Sequence, residues 1–211
     1  MTIGLTGSQR TGKSTLAGAY SLAEGVPFLQ TGASQVFADM GYDPKVDYPL
    51  DIRIEIQKRI LDSFDKQYAA AGSGFITDRT PVDMAAYLLA DVQRQNTTPA
   101  QAKLVTKYME DCASVTNSHF STLVVVQPGI PVIEAEGKAP ANIAYMEHMN
   151  ALVMGLVVSE MIVPSHFYIP RSMTNLAERV KVLRKVAGRT LERHMAYLQQ
   201  RAEAGQPIVF H

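Results

Sequence analysis

The chain has 211 residues, and its 20 basic and 20 acidic side chains cancel, so no global field draws it to nucleic acid or membrane and any polynucleotide must be held by a local site. That length accommodates one sizeable α/β core, with no internal repeat or low-complexity tract, and a single domain over 1–211 is expected. A lone cysteine, Cys112, excludes an internal disulfide, the apolar stretch 151–158 ends at Ser159 and Glu160 too soon to cross a bilayer, and the start lacks a leader pattern, so a cytoplasmic chain with no membrane partner is expected.

Residues 2–6 read as a short apolar strand. Gly7, Ser8, Gln9, Arg10, Thr11, Gly12, Lys13 and Ser14 then spell a G-x-x-x-x-G-K-S loop, and Thr15 carries on into a helix through Tyr20. Between a strand and a helix this pattern suits phosphate. The glycines let the backbone curl so that successive N–H groups face an anion, and the helix adds the positive end of its dipole. Lys13 is placed to reach the β- and γ-phosphates and Ser14 to ligate Mg²⁺, so residues 7–15 are expected to hold ATP and Mg²⁺. The competing reading is a glycine-rich turn that holds nothing.

Residues 26–30 read as strand two, and 31–47 as a loop with a short helical piece over 34–40, punctuated by Gly41 and Pro44. From Leu50, the residues Ile52, Ile56, Ile60, Leu61 and Phe64 recur at helical spacing until Gly72, Ser73 and Gly74 stop the helix before a strand at 75–77. Asp78 thus ends a strand. Helices follow over 82–93 and 99–114, then the strongest strand, 121–126, whose Val124, Val125 and Val126 suggest burial on both faces. After a loop at 130–140 come a helix over 142–160, a fifth strand over 166–169 and a final helix over 176–205. Strands alternating with helices predict an α/β fold: a doubly wound, five-stranded parallel sheet with helices on both faces and ligands beyond the carboxyl ends of the strands.

Phosphoryl transfer asks for positive charge around the moving group, a metal across the β- and γ-oxygens, and a group that aligns the acceptor oxygen. Arg10, inside the loop, suits a guanidinium bridging donor and acceptor; the alternative is a solvated loop tip. Asp78 suits holding Mg²⁺ through water or taking a proton from an attacking hydroxyl, unless it caps the helix opened by Thr80 and Pro81. Arg79 either faces the acceptor or pairs with an acid such as Asp83. Arg53 and Gln57, one helical turn apart, suit an acceptor phosphate and a base edge, with a solvated polar face as the alternative. Phe37 and Tyr42 either stack on the acceptor base or pack. Arg179, Lys181, Arg184, Lys185, Arg189 and Arg193 make the final helix basic, as a solvated face or a DNA contact. Val153, Met154, Leu156 and Val157 read as core or as the seam of a homodimer. The five histidines show no ligand spacing.

Arg10 at the fourth position of the loop, followed by Phe75, Ile76, Thr77, Asp78 and Arg79, resembles the thymidylate kinase group of P-loop nucleotide kinases. The resemblance implies that Asp78 and Arg79 meet the acceptor, that residues 133–144 form a lid, and that the catalytic arginine sits in the phosphate loop. No arginine lies between Arg94 and Arg171, so that lid carries only Lys138, and Arg10 is left as the transition-state cation. In similar kinases the loop after the fifth strand covers the adenine, which makes Arg171 a candidate to stack on it. Gln9 and Thr80 depart from the group, which usually has an acid and an aromatic there. Residues 78–83 are also similar to the Asp-Arg-(Ser/Thr)-Pro pattern of ribosylnicotinamide kinases and phage nucleotide kinases, and some phage enzymes of this kind phosphorylate 5-hydroxymethyluridine in DNA.

Deoxynucleoside kinases resemble this core but place a carboxylate just after strand two, where this chain has Gln30, Thr31, Gly32, Ala33 and Ser34. A phosphate acceptor is ionised near neutral pH and needs no base. The expectation is an Mg²⁺-dependent kinase moving the γ-phosphate of ATP to a pyrimidine-nucleotide-like acceptor, a (deoxy)nucleoside monophosphate. Two alternatives remain open: a kinase for 5-hydroxymethyluridine in DNA, and a partner-stimulated ATPase, for which Gln127 stands where a carboxylate often sits.

Overall fold

The computed structural model describes residues 1–44, 46–92, 97–132 and 142–204. Five strands, β1 (Ile3–Thr6), β2 (Phe28–Leu29), β3 (Ile76–Thr77), β4 (Thr122–Val126) and β5 (Ser165–Ile169), form one parallel sheet in the order β2-β3-β1-β4-β5. Seven helices connect or flank them: α1 (Lys13–Glu24), α2 (Ala33–Asp39), α3 (Leu50–Ala71), α4 (Pro81–Val92), α5 (Pro99–His119), α6 (Ile143–Val157) and α7 (Leu176–Glu203). The fold is the doubly wound α/β architecture that the alternation of elements predicts.

Side-chain alternation along the strands divides the core. Ile3, Leu5, Ile76, Val124 and Val126 pack against Leu16, Ala17 and Tyr20 of α1 and Val180, Leu183 and Val186 of α7. Phe75, Leu123 and Val125 point the other way, toward α3, α4, α5 and α6. The three successive valines of β4 are fully buried, as a strand covered on both faces requires. Val153 and Val157 lie in this second core, with Met154 and Leu156 packed against it, so this run is core. Phe37 is likewise buried there, and Tyr42 meets Tyr48 edge-on at 4.9 Å between ring centres.

α4 is apolar nearly all round and lies against α3, α5 and α6. Tyr68, late in α3, donates to the Arg79 carbonyl at 3.0 Å, whereas Arg53, early in α3, pairs with Asp91 near the end of α4 at 2.7 Å. The two helices therefore run antiparallel, and α4 rises about 15 Å beyond the carboxyl end of β3. This raises a wall beside the sheet's carboxyl edge.

Of the boundaries that differ from the sequence reading, two have a clear physical cause. β2 pairs over two residues only, because it is the edge strand and meets just β3. α5 runs to His119, five residues past the expected 114, because nothing in 115–119 breaks a helix and Thr116 is fully buried with its hydroxyl on the Cys112 carbonyl. Its start is fixed by a capping box between Thr98 and Gln101, with Pro99 in the first turn. Among the described residues no helix is long and apolar enough to cross a membrane.

Candidate active site

Residues 7–12 loop from β1 into α1. Gly7 has φ +139°, and a Cβ on it would come within 2.6 Å of the Val126 carbonyl oxygen of β4. Gly12 has φ +83° at the helix entrance, the left-handed region that glycine enters without cost. Arg10 is the only described non-glycine residue with positive φ, at +61°. Holding it there costs about 1 kcal/mol, of the kind that clusters where a side chain must be aimed.

Lys13 turns back over the loop and donates to the carbonyls of Gly7 at 2.6 Å and Ser8 at 2.7 Å. Burial lowers its pKa to about 8 against the pull of Asp83 and Asp78, with Arg79 adding to the lowering. Ser14 donates its hydroxyl to Asp78 Oδ2, joining the first turn of α1 to the end of β3, the strand hydrogen-bonded to β1. Asp78 is only 7% exposed, and its Oδ1 meets no hydrogen-bond partner among the described residues.

The buried atoms Ser8 Oγ, Gln9 Oε1 and Thr31 Oγ1 share that condition. All four belong to segments that follow β1, β2 and β3, along one edge of the sheet. Buried polar atoms left without partners are costly, so their concentration at one edge marks where a polar ligand belongs. The donor set fits hydrated Mg²⁺: a hydroxyl and an unspent carboxylate oxygen, both hard ligands, beside a phosphate loop.

The structure brings Gly7 through Thr15, Asp78 and Arg79 together. Arg79 lies with its guanidinium 5.6 Å from the Tyr87 ring centre; burial works against its charge, but Tyr87, Asp83 and Asp78 outweigh that and raise its pKa. Arg53 and Gln57 stand on the wall made by α3. They are not a solvated face: Arg53 is paired with Asp91, and the buried Gln57 accepts from the Tyr108 hydroxyl at 3.4 Å. Arg171 forms a two-pronged pair with Glu147 of α6, both contacts at 2.5 Å, so its guanidinium is already engaged. Lys138 and residues 133–141 of the expected lid lie outside the described residues.

Two residues were overlooked. Asp83 appears in the sequence only as a neighbour for Arg79, yet it is 1% exposed and accepts from Thr6 Oγ1 and Gly7 N, both at 2.8 Å, and from Thr80 N at 3.0 Å. The readable signal was Thr80-Pro81-Val82-Asp83, a helix-start pattern with proline at the first helical position and an acid that reaches back to the cap residue. Arg179 belongs to no solvated face either: it is buried and donates to the Thr11 carbonyl at 2.8 Å. Nothing in the sequence distinguishes it from the basic residues around it, of which Arg184 pairs with Glu24 at 2.5 Å.

The loops after β4 and β5 meet at Gly129, where an added Cβ would lie 2.0 Å from the Arg171 carbonyl oxygen. Both parties are backbone, so neither can swing away. Gly129→Ala is expected to destabilise the fold by about 1–3 kcal/mol, read as a lower thermal midpoint. An unchanged midpoint would contradict the packing of these two loops.

The structure of deoxyadenosine kinase from M. mycoides with products dCMP and dCDP bound is similar over 89% of this chain and 99% of that one, with TM-score 0.64 and 14% identity. The YorR protein from Bacillus subtilis, in complex with phosphorylated GDP, is similar over 92% of this chain and 98% of its own, with TM-score 0.54 and 13% identity. NadR in complex with NAD and AMP-PNP matches over 89% of this chain and 49% of its own, with TM-score 0.60 and 13% identity. At such identities these likenesses establish the P-loop kinase fold. No curated protein matches the chain. The profile of an AAA domain family matches residues 2–119, from the first strand through the whole of α5 and more than half of the chain, so the chain belongs to the AAA domain family.

Proposed function

We propose that this chain is an Mg²⁺-dependent kinase, a single domain that transfers the γ-phosphate of ATP to a pyrimidine-nucleotide-like acceptor, a (deoxy)nucleoside monophosphate. One observation carries the reading: Asp78, at the end of β3, joins the phosphate-loop Ser14 while keeping a buried oxygen without a partner among the described residues. An acid so placed serves both the metal and the acceptor side of a transfer.

The chain's own residues divide the work. Loop N–H groups and Lys13 bind the β- and γ-phosphates, Lys13 exchanging the Gly7 and Ser8 carbonyls for phosphate oxygens. Ser14 and Asp78 would hold Mg²⁺, which would supply positive charge to the phosphates during transfer. Arg79 and, on the wall, Arg53 and Gln57 orient the acceptor, with Lys138 assigned to its phosphate and Arg171 to the donor base. An acceptor phosphate oxygen attacks the γ-phosphorus, the bond to the β–γ bridging oxygen breaks, and ADP departs, with Arg10 neutralising the charge spread over the moving group.

The acceptor class follows from the end of β2. Thr31 stands there with a buried hydroxyl and no carboxylate beside it, which disfavours a free sugar hydroxyl that must lose a proton and suits a phosphate that need not. The M. mycoides neighbour is a deoxyadenosine kinase with dCMP bound as product, so free nucleosides are the acceptors against which the monophosphate reading is tested.

The test is transfer of label from γ-labelled ATP, with Mg²⁺, to nucleosides, nucleoside monophosphates, and plain or hydroxymethyluracil-containing DNA. Label in a monophosphate supports the proposal. Label in the modified DNA alone replaces it with the phage-type DNA kinase, and label released only as phosphate replaces it with the ATPase.

Lys13 adds a pH signature. With a pKa of about 8 it is half neutral near pH 8 in the nucleotide-free chain, and an arriving polyphosphate favours the charged form. Binding of ATP should take up a proton near pH 8, and affinity should be flat below that pH and fall as pH rises through it, by up to about tenfold per unit. Calorimetry in buffers of different ionisation heat reads the uptake. Lys13→Met should abolish it, and uptake that persists in that variant would assign the proton elsewhere.

A further inference from the structure

Arg179 is the fourth residue of α7 and is 2% exposed. Its Nε donates to the Met173 carbonyl at 2.6 Å and its Nη1 to the Thr11 carbonyl at 2.8 Å, while Nη2 is buried and has no partner among the described residues. The guanidinium thus spans from the loop after β5 to the phosphate loop. It presses close: a Cβ on Gly12 would lie 3.4 Å from Nη1.

This cation is uncompensated. No carboxylate pairs with it among the described residues, and burial alone acts on its pKa, pushing it down. It also lies in the first turn of α7, where the helix dipole is positive and opposes a cation. The entrance of α1 and the Lys13 ammonium add further positive charge on the phosphate loop. Two backbone carbonyls solvate a guanidinium but do not neutralise it. Asp83 and Asp78 act on Lys13 but do not pair with Arg179, so an anion arriving at the loop would find the Arg179 charge unmatched.

We propose that Arg179 is a positioning residue of the donor site, which fastens the phosphate loop to residues 170–175 through the Thr11 and Met173 carbonyls and whose charge is matched by the polyphosphate of the bound nucleotide. The proposal rests on the reading of residues 7–14 as a nucleotide site. It extends that site to a residue 168 positions from Thr11 and makes the loop after β5 part of the same rigid unit as the phosphate loop.

The test measures binding of MgATP and of inorganic tripolyphosphate by calorimetry, and thermal midpoints without ligand, for the unaltered chain, Arg179→Met and Arg179→Lys. Arg179→Met removes an unmatched buried charge but also the donors to the Thr11 and Met173 carbonyls, which act on the ligand-free midpoint in opposite directions, so affinity is the deciding readout. Affinity for both probes should fall about tenfold or more in Arg179→Met, and less in Arg179→Lys, which keeps the charge but not the two-carbonyl span. A residue that only fastened the two segments would lose as much affinity in Arg179→Lys as in Arg179→Met, so equal losses in the two variants overturn the charge-matching role. Affinity equal to that of the unaltered chain overturns the proposal outright. An unaltered chain that binds neither probe overturns the nucleotide reading as well, which separates the two failures.

Discussion

Arg10→Ala should lower the rate of phosphoryl transfer by about 10³-fold or more, the scale on which a transition-state arginine acts. Affinity for ATP should change little, because the loop N–H groups and Lys13 carry the ground-state phosphate contacts. Other guanidiniums of the chain have partners in the absence of ligand. Arg179 donates to two carbonyls, Arg171 pairs with Glu147 and Arg53 with Asp91, so Arg171 and Arg53 would exchange these acids for ligand when it binds. Arg10 is held in the loop itself at φ +61°. Alanine keeps a Cβ and meets the same backbone cost at that φ, so the variant removes the guanidinium without relaxing the loop, whereas glycine would do both. Arg10→Lys should fall in between, since an ammonium keeps the charge and loses the planar fork. Single-turnover rates with saturating ATP decide the matter. A rate within a few-fold of the unaltered chain removes Arg10 from the mechanism and shifts attention to Lys138 in the lid.

The parts of this site that were readable in the sequence are those that depend on neighbours in the chain. The phosphate loop needs a strand before it and a helix after it, and both are visible within twenty residues. Asp78 follows an apolar strand that glycines precede, so its place at the carboxyl edge, next to β1, could be inferred. Contacts made across the chain were not readable. Arg179 meets Thr11 across 168 residues, and Asp83 meets Gly7 across 76. Local spacing makes Arg179 one cation among seven on a helix, and only packing separates it from Arg184, which lies at the surface with Glu24. The pairing of Arg53 with Asp91 was hidden for the same reason, because it depends on α3 and α4 running antiparallel.

Asp83 is where the second large effect is expected. Its two oxygens gather donors from three segments: the end of β1 through Thr6, the first residue of the phosphate loop through Gly7 N, and the turn into α4 through Thr80 N. Asp83→Ala leaves those donors buried without an acceptor and should cost about 3–5 kcal/mol, seen as a lower urea midpoint. Asp83→Asn retains one acceptor oxygen but turns an amide N–H₂ toward an N–H donor, so it should cost about 1–3 kcal/mol. Thr6→Val, which removes a single one of these bonds, should cost about 1 kcal/mol. The same carboxylate also opposes the burial that lowers the Lys13 pKa to about 8. Without its negative charge that pKa falls further, so the pH above which ATP binding weakens should move to lower values in Asp83→Asn. A stability loss with an unmoved pH profile would leave Asp83 a purely structural brace. A moved profile makes it the group that holds Lys13 charged at neutral pH, which ties the geometry of the loop to its capacity to bind phosphate.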